Sequence, residues 1–161
     1  SIFQKGDCLT YKMKNGLWGG ALVLYSEKQT ELGLNYIAVT DINVAEEPQI
    51  IDFKKANILV LFSEDHDIKF KNDKIVKFEP TLNEREEIGW YHAQFYKKAN
   101  LSIKVIGNLP INNRFKKTKI RHGGNWLWLP EFYEVKGNHY SKYGVPNTKI
   151  KLRKYLKRKW L

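Results

Sequence analysis

The densest chemistry in this chain is cationic. Arg114, Lys116, Lys117, Lys119 and Arg121 alternate around Phe115 and Ile120, and Trp126 and Trp128 follow shortly after. Cations at this spacing can hold phosphate oxygens, while the interleaved rings offer faces on which bases stack. A basic edge strand, whose lysines discourage sheet-to-sheet pairing while the tryptophans build core, explains the same residues equally well. A second cluster, Lys151, Arg153, Lys154, Lys157, Arg158 and Lys159, sits close to the last residue. On a helix it could line a groove, lie on an anionic membrane or meet an acidic partner. A membrane is the poorest fit, because the segment lacks a wide Trp, Phe and Leu face.

These clusters dominate a lopsided charge distribution. Residues 1–96 carry 11 Lys and Arg against 15 Asp and Glu, whereas residues 97–161 carry 17 against 2. The total is +11. A mere compositional taste for lysine would spread along the chain and do no more than solubilise it. Concentrated charge instead attracts phosphates, anionic headgroups or an acidic protein.

Catalytic patterns are not found. His66, His92, His122 and His139 form neither H-x-x-x-H nor HExxH spacing. Glu64-Asp65-His66-Asp67 could hold a cation, although an acidic loop of this kind is usually only solvated. Glu134-Val135-Lys136 has the E-x-K half of a metal-dependent nuclease motif, in which the carboxylate binds the ion and the lysine steadies hydroxide. Its other half fails, since the last aspartate is Asp73, 61 residues upstream. His122-Gly123-Gly124-Asn125 has no paired histidines around it. No G-x-S-x-G elbow, Walker A loop or G-x-G-x-x-G turn is present. The expectation is therefore a non-enzymatic chain with no cofactor and no metal, ahead of a nuclease or other phosphate-handling enzyme whose constellation is assembled from scattered residues. Cys8 is the sole cysteine, which rules out an intrachain disulfide and reads as a small buried thiol.

The elements that must position the basic residues read as mostly β in the first half. Residues 8–13 form a strand, Lys14-Asn15-Gly16 a hairpin turn and residues 18–25 the return strand, with Gly19-Gly20 permitting close backbone approach. Strands follow at 34–39 and at 57–62. Residues 68–70 and 75–78 alternate around Lys71-Asn72-Asp73-Lys74 as a further hairpin. Thr81-Leu82-Asn83-Glu84 is a capping-box pattern. Ile88, Tyr91, His92, Phe95 and Tyr96 then follow helical spacing, which predicts a central helix at about 82–98. A strand at 101–107 ends at Asn108-Leu109-Pro110, and residues 111–125 read as a long loop or broken strand. Residues 126–129 alternate Trp and Leu as a strand that 132–135 could continue, and 137–147 form a loop. Leu152, Tyr155, Leu156 and Trp160 predict a basic amphipathic helix at about 149–160. The fold class expected is α+β, with a mostly antiparallel, strongly bent or barrel-like sheet, in one domain spanning 1–161. A chain of 161 residues with a 42% hydrophobic fraction can close one core. No stretch approaches the roughly 20 apolar residues of a membrane span, and a cytoplasmic address is expected.

Lys5-Gly6-Asp7-Cys8-Leu9-Thr10-Tyr11 and residues 14–24 together resemble the opening hairpin of the immunity protein 26 family of bacterial polymorphic toxin systems. Leu32-Gly33-Leu34-Asn35-Tyr36 would match that family's next strand, and Val105-Ile106-Gly107 a later one. The likeness covers about half the chain and leaves the basic tail from Asn138 without a counterpart. What it implies is a mostly β protein that binds and inhibits a toxin by surface complementarity, so no active-site residue carries over. Inhibitors of nucleases tend to be acidic, and this chain is basic, which favours a target with an acidic surface. The expected partner is an acidic protein, with nucleic acid as the alternative.

Overall fold

The computed structural model describes residues 3–13, 15–26, 35–59, 68–72, 74–78, 86–91, 102–115, 120–122 and 149–160. Its centre is the predicted hairpin. β1 (Asp7–Lys12) and β2 (Trp18–Ser26) pair antiparallel, with Cys8 opposite Leu22 and Lys12 opposite Trp18. The turn uses Gly16 in the left-handed region (φ 84°), where an L side chain would be strained. Its amide donates to the Met13 carbonyl at 3.0 Å, and the Met13 amide donates to Leu17 at 2.8 Å.

β3 (Asn35–Val39) adds to β2 across a bulge at Leu24. β7 (Glu86–Tyr91) follows antiparallel on β3, and β9 (Ile120–His122) lies parallel to β7. On the other side β8 (Lys104–Asn108) pairs with β1. The strand order is thus β8-β1-β2-β3-β7-β9. Among the described residues no ladder joins β8 to β9, so this pairing does not close the sheet into a barrel. Two smaller pairs complete the β structure. The predicted hairpin appears as β5 (Ile68–Lys71) with β6 (Lys74–Phe78), and β4 (Asn57–Leu59) pairs with β10 (Lys149–Lys151).

Strand alternation sends side chains to both faces of the central sheet, and both are buried. Cys8, Leu22, Leu24 and Ala38 face one core with Phe53, Ile58, Leu109, Leu152 and Leu156. Leu9, Tyr11, Ala21, Val23 and Ile37 face the other with Phe3 and Met13. Gly20 makes the first core possible: a Cβ there would stand 2.7 Å from Ile42 Cδ1 and 3.0 Å from the Phe53 ring. Phe53 comes from α1 (Ile50–Lys55), a helix the sequence pattern did not suggest. Its first turn is tied by the Gln49 amide donating to the Asp52 carboxylate at 2.7 Å.

Two expected helices are corrected. Residues 86–91, inside the helix expected at 82–98, form strand β7; residues 82–85 and 92–98 lie outside the described residues. The open edge of β3 supplies a backbone ladder there, pairing Tyr36 with Trp90 and Ile37 with Gly89. That ladder prevails over helical spacing in a segment containing Gly89, a poor helix former. The expected helix at 149–160 is instead β10, then one 3-10 turn at Leu152–Tyr155 and another at Arg158–Trp160. Here β4 captures Lys149–Lys151 before a helix can start, and Ile111 bridges Leu156. No described helix is long and apolar enough to cross a membrane.

Candidate binding surface

The C-terminal segment is fastened by its apolar residues and by its backbone. Leu152 and Leu156 are fully buried and Ile150 nearly so. The Leu152 amide donates to the Ala56 carbonyl at 3.1 Å, and the Lys157 amide donates to Pro110 at 2.9 Å. Between these ties sits Asn112. Its backbone amide donates to Tyr155 at 2.8 Å, and its side-chain amide donates to the carbonyls of Lys154 (2.7 Å) and Leu156 (3.0 Å). The same side chain accepts the Arg114 amide at 2.9 Å on Oδ1. One asparagine therefore joins the loop after β8 to the basic tail.

With the apolar residues committed inward, the cations point outward. Lys151, Arg153, Lys154, Lys157 and Arg158 are all exposed. Among the described residues, Lys104 pairs with Glu47 at 2.8 Å and Lys149 with Asp41 at 3.5 Å, whereas Lys5, Lys12, Lys54, Lys55 and Lys71 have no such pair. Asp41 also accepts the Asn57 amide and side chain, each at 2.9 Å. Among the described residues, none of Lys151, Arg153, Lys154, Lys157 and Arg158 has such a partner. Crowded like charges without carboxylates create a positive field that favours an anion from outside.

The two sequence clusters meet in part. Arg114 is brought beside residues 154–156 through Asn112. The Arg121 backbone belongs to β9, opposite Gly89 at the far end of the sheet order. Lys116, Lys117, Lys119, Trp126 and Trp128 lie outside the described residues, as do His66, His92, His139, Glu134 and the loop at 64–67. Ring contacts accompany Arg114: Phe115 lies 6.1 Å from Tyr36, and Tyr36 lies 5.6 Å from Tyr25, centroid to centroid. Tyr25 and Phe115 are half-buried, and Tyr36 is buried.

Sequence reasoning missed three contributors. Lys54 and Lys55 end α1, which packs on the 3-10 turn Leu152–Tyr155, and Lys55 is exposed. They belong to the acidic half of the chain, and only the fold brings them near the tail. Asn112 carries no charge, so a search for cations passes over it. A run of Asn beside a strand end was the available signal.

The remaining reactive group is inert. Cys8 is fully buried, and burial, reinforced by the neighbouring Asp7 carboxylate, pushes its thiol up to about 12. A thiol held protonated is neither nucleophile nor metal ligand. Among the described residues no cluster of three or more His, Cys, Asp or Glu could hold a metal ion. Comparison with known protein families, curated proteins and solved structures finds no match for the chain.

Proposed function

We propose that this chain is a non-enzymatic binding protein that holds an acidic partner on the surface formed by Arg114 and residues 151–158. The observation that carries this reading is the crowding of charge. Lys151, Arg153, Lys154, Lys157 and Arg158 stand exposed within eight residues, without a carboxylate partner among the described residues, on a segment anchored by Leu152 and Leu156. A flexible basic tail would lose conformational entropy on binding, and one already fixed to the core avoids much of that cost. The resemblance to the immunity protein 26 family supports a protein partner, a toxin with an acidic surface, met in the cytoplasm. The ring contacts beside Arg114 support nucleic acid as the alternative. A barrel-like bend of the central sheet belongs to the same proposal and is supported by the close approaches at Gly19 and Gly20.

Reversing three cations together, Lys151→Glu, Arg153→Glu and Lys157→Glu, tests the reading. The wild-type chain is expected to recover a partner from its native host at near one-to-one stoichiometry in low salt, and the triple variant is expected to recover none. Equal recovery by both proteins would exclude this surface.

A further inference from the structure

The basic surface extends beyond the tail onto α1. Lys55 precedes Ala56, whose carbonyl accepts the Leu152 amide at 3.1 Å, and Asn57 pairs with Lys151 in the β4–β10 ladder. The exposed lysine at the end of α1 therefore stands next to the exposed cations that begin the tail, and Lys54, half-buried, precedes it. Three carboxylates near α1 are engaged: Asp52 takes the Gln49 amide, Glu47 takes Lys104, and Asp41 takes Asn57 and Lys149, which leaves Glu46 exposed ahead of the helix. Lys55 from α1 and Lys151, Arg153 and Lys154 from the tail thus form one cationic strip, and Asn112 ties the backbone of Arg114, from a third segment, to it.

The composition of the strip indicates what covers it. Protein interfaces are depleted of lysine and centre on aromatic or aliphatic anchors. Among the described residues, the exposed large hydrophobic side chains are Val44, Ile51 and Val105. None belongs to residues 110–115 or 149–159, and only Ile51, one helical turn before Lys55, reaches the rim. Exposed cations with no exposed large hydrophobic side chain among them match a phosphate polymer, and the half-buried ring of Phe115, packed against the core, follows Arg114 directly in the chain. Resting on the reading that the basic surface is the binding surface, we infer that its ligand is single-stranded nucleic acid, with Lys55 of α1 among the phosphate contacts.

The test uses the whole chain and a fluorescein-labelled oligothymidylate of about 20 nucleotides, longer than the roughly 4–16 that small single-strand-binding folds cover. Anisotropy titrations across a salt series should give affinity falling steeply with salt. Lys55→Ala should flatten the log–log slope by about 0.7, the contribution of one phosphate contact on a single strand. Lys55→Glu should weaken binding about 10-fold or more, whereas Lys12→Glu, which makes the same change in net charge beside the Trp18 ring, should leave it near wild type. A Lys12→Glu loss equal to that of Lys55→Glu would overturn the strip in favour of diffuse attraction. If the Lys151→Glu and Arg153→Glu double variant abolishes binding but Lys55→Ala leaves the slope unchanged, the α1 extension is wrong and the tail surface stands. Poly-L-glutamate competing at equal charge concentration would overturn nucleic acid in favour of an acidic protein. Failure to bind either polymer at low salt would overturn the binding surface itself. Circular dichroism of each variant separates these outcomes from misfolding.

Discussion

The β1–β3 sheet and the C-terminal segment solve opposite problems with the same alternation of side chains. In the sheet, both faces are buried: Leu22 and Leu24 point to one core, Ala21 and Val23 to the other. Polar groups there are satisfied within the chain, as when the Thr10 and Thr40 hydroxyls donate to the Gly19 and Gly20 carbonyls at 2.8 and 2.6 Å. In the tail, only one side is buried. Leu152 and Leu156 face the core while Lys151, Arg153, Lys154, Lys157 and Arg158 face water without a carboxylate partner among the described residues. The first region holds the fold together. The second keeps its charge available and depends on the first for its shape.

If that division is right, a mutation in the sheet should cost stability without touching affinity. Leu22→Ala, at a fully buried position, should lower unfolding free energy by about 2–5 kcal/mol in urea titrations. Anion affinity of the fraction still folded should match wild type. A large change in affinity at constant fold would show that the two regions are coupled.

Asn112 is where they join, and its replacement should move both readouts. Asn112→Ala leaves the Lys154 and Leu156 carbonyls without their donor and releases the Arg114 amide. Partial exposure lets water replace some of these bonds, so the expected loss is about 1–2 kcal/mol. Affinity for a polyanion should fall as well, because Arg114 and Lys154 lose their shared tie. Unchanged affinity would mean that the loop and the tail bind independently.

How much of this was legible follows from the range of the forces involved. The β1–β2 hairpin was readable because its signals are local: Asn15-Gly16 at the turn and alternating apolar residues on either side. The tail's buried face was readable for the same reason, since Leu152 and Leu156 are four apart. Its conformation was not, because β4 and Ile111, both distant in sequence, decide whether residues 149–156 coil or extend. At 86–91 the local signal pointed the wrong way. A helical stripe and a strand can share one short sequence, and the unpaired edge of β3 chose the strand. Lys55 was invisible as a site residue for a related reason: the ladder that brings it to Lys151 is entirely non-local.

At alkaline pH the difference between the wild-type chain and Cys8→Ala probes the sheet. Burial raises the Cys8 thiol from its ordinary value of 9.0 to about 12 in the folded chain. The unfolded chain therefore releases this proton first as pH rises, so the unfolded state gains relative to the folded one. The Cys8 contribution is fully present below about pH 9 and is lost progressively as pH climbs toward 12. Cys8→Ala should show a flatter decline of unfolding free energy over that window than wild type. Parallel declines would mean the thiol is solvated, contradicting its burial.

The smallest effect on stability should come from the residues that matter most for binding. Lys151, Arg153 and Lys157 are exposed and have no carboxylate among the described residues, so no ion pair is lost when they change. Replacing all three with glutamine should move unfolding free energy by no more than about 0.5 kcal/mol per site, and relief of like-charge repulsion makes stabilisation the expected direction. The gain should shrink as salt rises, because screening already removes that repulsion over roughly 8–10 Å near physiological ionic strength. A triple variant more stable at low salt, yet unable to hold a polyanion, would mean that the wild-type chain keeps a mildly destabilising charge cluster for recognition. A triple variant clearly less stable than wild type would instead assign those cations to the fold and remove the distinction between the two regions.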